Sequence, residues 1–106
     1  MTTLLDIIQA LFVKTRMQRI DWEMNGQHEI YSRFGRNIVE VDTGEISSEK
    51  YGLFVRDKDG NIIEGQRFAE DSDPGRMLAH IFQAGSRRAL GVDKILDDIL
   101  GEIKNL

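Results

Sequence analysis

Apolar residues recur at helical spacing near the start of the chain. Leu4, Leu5, Ile7, Ile8, Leu11 and Phe12 fall on one broad face at ~100° per residue. Asp6, Gln9 and Arg16 lie off that face. Thr2 or Thr3 can cap the beginning. The spacing predicts a first helix over Thr3–Thr15. The period then changes to two. Residues 18–24 and 27–33 alternate polar and apolar around Asn25 and Gly26. An Asn-Gly pair between alternating runs signals a hairpin, because both residues tolerate positive φ. A two-residue turn there sets Trp22 opposite Glu29 and Ile20 opposite Tyr31 on one face. It sets Glu23 opposite His28 and Asp21 opposite Ile30 on the other. Ile20, Trp22 and Tyr31 make the first of these the expected core face.

Phe34, Gly35 and Arg36 read as a turn, and Asn37–Asp42 as a third strand. Thr43–Lys50 is polar and reads as a loop. Tyr51–Arg56 is a fourth strand, Asp57–Gly60 a turn, and Asn61–Phe68 the return strand. Connections this short join antiparallel strands. Pro74 stands where the first turn of a helix would be, after a cap at Ser72 or Asp73. That helix is expected to bury Leu78, Ile81, Phe82, Gly85 and Ala89, and to close at Gly91. Val92, Ile95, Leu96, Ile99, Leu100, Ile103 and Leu106 then form one stripe on a last helix. Asp93 near its start and Lys104 near its end suit the helix dipole.

The order α-β-β-β-β-β-α-α predicts an α+β fold in a single domain, residues 1–106. It has an antiparallel meander of about five strands, one N-terminal helix and two C-terminal helices. Strands three to five carry apolar residues at both parities, such as Ile38 against Val39 and Phe54 against Leu53. Either helices cover both sheet faces, or a second subunit covers one.

Composition narrows the function classes. With 106 residues, 41% of them hydrophobic and 30% charged, the chain fits one small globular domain. Its net charge of −4 argues against general nucleic-acid binding, which rests on phosphate contacts from a basic surface. No cysteine is present, which excludes disulfides, thiolate metal sites and cysteine nucleophiles. The first residues lack a basic segment, and Asp6 and Lys14 interrupt the apolar stretch, unlike a signal peptide. No run approaches the ~20 apolar residues of a membrane span. A cytoplasmic setting without membrane contact is expected.

Candidate chemistry is sparse. Asp57, Asp59 and Gly60 resemble the start of a calcium loop. The glycine comes at the fourth position and Glu64 at the eighth, where an EF-hand needs the sixth and twelfth. A hairpin turn explains these residues better. Asp71 and Asp73 could share a metal, but a helix cap accounts for that segment. His28 and His80 lack the spacing of a metal or catalytic pair. His28 is expected beside Glu23, and His80 on the polar side of its helix. Neither a nucleophile elbow, a P-loop nor a dinucleotide fingerprint is present. No catalytic residue, metal ligand or cofactor is assigned.

Two constellations remain. Arg16, Arg19 and Arg33, with Tyr31 and Phe34 for stacking, could form an anion-binding patch if the first hairpin packs beside the first helix. Acids interleave these bases, which favours a solvated surface instead. Ala84, Gly85 and Ser86 place three small residues mid-helix, where glycine costs about 1 kcal/mol against alanine. Close backbone approach would compensate, either within the chain or at a dimer interface. The leading expectation is a non-catalytic protein-interaction module, such as an inhibitor, an antitoxin or immunity-type factor, or an accessory subunit. It would bind a protein partner or a second copy of itself. A binder of a small anionic ligand such as a nucleotide is the alternative. A metal-dependent hydrolase using Asp57, Asp59, Asp71 or Asp73 ranks last.

Overall fold

Thr3 starts the first helix. In a computed structural model, which describes residues 1–44 and 49–106, α1 spans Leu4–Arg16. The Asp6 backbone N–H donates to the Thr3 hydroxyl at 3.3 Å, and the Thr3 N–H donates to the Asp6 carboxylate at 2.8 Å. This reciprocal pair satisfies donors that the first turn leaves without partners. Five strands follow: β1 Glu23–Met24, β2 Glu29–Phe34, β3 Asn37–Thr43, β4 Tyr51–Arg56 and β5 Ile62–Phe68. Each pairs antiparallel with the next, in the order β1-β2-β3-β4-β5. Two helices close the chain, α2 over Asp73–Leu90 and α3 over Val92–Lys104. The α+β meander with one leading and two trailing helices is therefore the architecture. Of the predicted loop over 43–50, residues 45–48 lie outside the described ones.

The first hairpin departs from expectation. Its register is Glu23↔Tyr31 and Met24↔Ile30, and the Asn25 N–H donates to the Glu29 carbonyl. The turn thus holds residues 26–28 rather than Asn25 and Gly26 alone. An odd register shift exchanges the two faces of a strand. Ile30 and Ser32 turn inward, and Tyr31 turns out beside Glu23. Burial of a branched aliphatic side chain decides this, since a buried phenol would need its own hydrogen-bond partner. Ser32 meets that need by donating to the Asp21 carbonyl at 2.9 Å. His28 accordingly faces Thr43 at 3.4 Å instead of Glu23.

α2 packs on the face that carries Trp22, Ile30, Val39, Val41 and Leu53, and α1 packs against α2. Ile8, Leu11, Leu78 and Ile81 meet it from the helices. Trp22 is the junction. Its indole N–H donates to the buried Thr15 hydroxyl of α1 at 3.0 Å. On its other side α2 comes so close that a Cβ at Gly85 would sit 2.6 Å from Ile30 Cδ1 and 2.9 Å from the indole ring. The close approach foreseen around Ala84, Gly85 and Ser86 is met at Gly85 from within the chain. Phe82 and Ala89 are only partly buried.

Gly91 ends α2 with φ 63°, and its N–H donates to the Arg87 and Arg88 carbonyls. The same residue begins α3 without a side-chain cap. This left-handed joint sends α3 away from the sheet, and the chain is 56 Å along its longest axis. No residue of α3 is buried.

Gly85→Leu is expected to lower stability by about 1–3 kcal/mol, because the added side chain overlaps the Trp22 indole. The neighbouring Ser86 hydroxyl is enclosed without a hydrogen-bond partner among the described residues, so Ser86→Ala should leave stability unchanged or raise it. Thermal unfolding followed by Trp22 fluorescence separates the two. Equal losses would show that the contact at Gly85 is not what limits α2.

Candidate interaction site

Three surface regions hold unusual chemistry. The first is the stripe on α3. Ile95, Leu96, Ile99, Leu100 and Ile103 alternate at three and four residues and face one way. Each is about half exposed, from 48% at Ile99 to 57% at Ile103. Leu106 extends the row, and Leu90 stands exposed at the end of α2. Asp93, Asp97, Asp98 and Glu102 occupy the flanks and back of the helix, against Lys94 and Lys104. Arg87 donates to Asp93 at 2.9 Å across the Gly91 joint.

The second region is a groove of about 680 Å³ between α1 and the sheet. Ile7, Ala10 and Leu11 line it from α1, and Phe34, Val39 and Val55 from the strands. These alternate strand positions share the helix-bearing face. Lys14 and Arg19 are the charged lining residues, and no acid joins them. Phe34, at the end of β2, lines the groove and is 43% exposed.

The third region is the sheet face without helices. Glu40 is 4% exposed at its centre. Arg56 donates to it at 2.6 Å and also to the Gly60 carbonyl at 2.9 Å. Arg67 grips both Asp42 oxygens, at 2.8 and 3.0 Å. Its guanidinium also lies 5.4 Å from the Phe54 ring centre. The Phe54 ring covers Gly52 and Gly65 on the adjoining positions. Glu29 accepts from the Asn25 amide at 2.7 Å. Carboxylate oxygens of Glu29, Glu40 and Asp42 approach within 4.8 Å of one another. The sequence reading missed this trio. Its signal was the Glu40, Asp42 alternation on β3, paired across the ladder with Glu29. Each acid already has a partner here, so the face is an ion-pair network.

The anion patch read from the sequence is divided. Arg19 and Phe34 line the groove. Arg33 and Tyr31 line a separate hollow on the opposite sheet face, with Glu29, Glu40 and Arg56. Arg16 stacks on Phe12 at 5.4 Å and borders a third hollow near Ala84 and Arg88. The Glu23 carboxylate, hydrogen-bonded to the Tyr31 phenol, holds that phenol above its ordinary value. Backbone N–H groups of Asn61 and Asp59 donate to Asp57 and hold its carboxyl below its ordinary value. Asp57 is thus fully engaged in its turn. Ser72 caps α2 by accepting from the Gly75 N–H, and Asp73 pairs with Arg76. His80 meets Phe12 edge to face at 5.5 Å, joining α2 to α1.

Among the described residues, no helix is long and apolar enough to cross a membrane. No protein family, curated protein or solved structure matches the chain.

Arg56→Met should destabilise the protein by about 1–3 kcal/mol, by leaving the Glu40 carboxylate buried near two other acids. Combining it with Glu40→Met should restore most of that loss, since an apolar pair replaces the ion pair. Urea unfolding of both variants decides it. A double variant no more stable than Arg56→Met would mean that Arg56 acts through some other contact.

Proposed function

We propose that the protein is a non-catalytic protein-interaction module that works by laying the apolar stripe of α3 against another polypeptide. The observation that carries this reading is that α3, the most regularly patterned helix of the sequence, has no buried residue in its own chain. Fully burying a Leu or Ile is worth ~1.5–3 kcal/mol, so each half-exposed side chain leaves on the order of 1 kcal/mol for a contact. Exposed apolar patches of this extent mark binding surfaces. A lipid surface suits the helix poorly. Interfacial helices carry a cationic polar face, and α3 has four acids against two lysines.

The net charge of −4 favours a basic partner, by steering and by complementarity. An inhibitor, an immunity-type factor or an accessory subunit would use such a contact. The lack of cysteine suits the reducing cytoplasm. An anionic-ligand function has less support, because Arg16, Arg19 and Arg33 do not converge.

A photoreactive amino acid at position 99, on the stripe, should crosslink to a polypeptide in the native extract. The same group at position 101 points to the polar side of α3 and should not. Equal yields at the two positions, or none at 99, would sink this reading.

A further inference from the structure

Among the described residues, the α3 stripe and the α1–sheet groove are apolar surfaces left uncovered, and they are complementary. We propose that the α3 stripe of one copy seats in the α1–sheet groove of a second copy, and the reverse, to give a closed two-fold dimer. The inference rests on the reading of α3 as a binding element and names its partner.

Charge is the first argument. The groove is lined by Ile7, Ala10, Phe34, Val39 and Val55, with Lys14 and Arg19 as its ionic residues. The stripe is bordered by Asp93, Glu102 and Lys104, and α3 as a whole carries four acids against two lysines, with Asp93 and Asp98 already paired to Arg87 and Lys94. Seating α3 in the groove therefore brings a helix of net negative charge to two cations around an apolar centre. Pairing α3 with α3 would instead bring together two helices that each carry four acids and two lysines. It would also leave the groove open.

Area is the second argument. The exposed stripe lies at the upper end of the ~300–600 Å² that the largest apolar patch of a monomer covers. A single helix in a single groove falls short of a standard interface of ~1,600 Å² in total. Two such contacts related by a two-fold axis double the area buried. Closed symmetry of this kind is the commonest form of self-association.

Direction is the third. The Gly91 joint lies beside Thr15, Gln18 and Arg88, at the end of α1 and on its α2 side. α3 packs chiefly against α2 and not against the α1 and strand residues that line the groove, so it does not fill that groove within its own chain. A second copy can bring its α3 there.

The test uses the full chain. Light scattering should give twice the 12.1 kDa mass of one copy. Ala10 is exposed on α1, so Ala10→Asp should block the groove without touching the core and give a monomer with unchanged circular dichroism. Ile99→Asp should do the same from the stripe. The seating is read directly with Ala10→Cys carrying a benzophenone, in a mixture of ¹⁵N-labelled and unlabelled protein. Adducts should join position 10 of one copy to residues 92–104 of the other. A monomeric wild type overturns the dimer. A dimer that survives Ala10→Asp, or adducts confined to one copy, overturns the seating. A wild-type monomer that still crosslinks to a different protein through position 99 removes self-docking alone and leaves the binding function of α3 in place.

Discussion

The contact between Trp22 and the backbone of α2 at Gly85 governs the rest of the molecule. The indole fills the junction of three elements, with its nitrogen bonded to Thr15 on α1 and its ring against α2. Only a residue without a side chain lets a helix approach that closely. The position of α2 over the sheet follows from this contact. Arg88 then reaches the Gln18 carbonyl and the Asp21 carboxylate, tying the far end of α2 to the segment between α1 and β1. Gln18 holds a left-handed backbone there, with φ 56°, a conformation that ordinary side chains resist by roughly 1–2 kcal/mol. The direction in which α3 leaves is set last, by Gly91 at the end of the fixed helix.

The two sheet faces solve different problems. The covered face is packed with aliphatic side chains. The open face holds Phe54, Glu40 and Asp42 in its central strands, yet has no second layer. It uses ion pairs for closure. Arg67 and Arg56 lie across the strands, neutralise acids on β3 and shield the Phe54 ring, which rests on two glycines. Apolar residues of both parities thus coexist with a single helical layer. Among the described residues no helix covers this face, and salt bridges shield its central strands while Ile62 and Ile63 on β5 stay exposed.

Much of the fold was legible from local pattern. The three helices, the closing Gly91 and strands two to five follow from periodicity and turn chemistry, and the structure chooses Thr3 over Thr2 and Ser72 over Asp73 as caps. The first hairpin did not, because Asn25 and Gly26 favour a tight turn while Ile30 requires burial. Long-range packing outweighed the turn by widening it. The proposed interaction surfaces were half legible. The α3 stripe is plain in the sequence, but nothing in its spacing says that it is left outside the core. The groove joins Ala10 on α1 to Phe34 and Val55 on separate strands, and only the tertiary arrangement assembles it. The arginine patch failed for the same reason in reverse. Arg33 lines a hollow on the open sheet face, while Arg19, in the segment between α1 and β1, lines the groove on the helix-bearing side.

The exposure of α3 has a consequence for how the molecule folds. A helix of 13 residues is marginal in water on its own. With no core contacts to support it, its hydrogen bonds open and close on their own schedule while the body stays intact. Were a partner to bind α3 as proposed, the order of the helix and its occupancy would be one linked equilibrium.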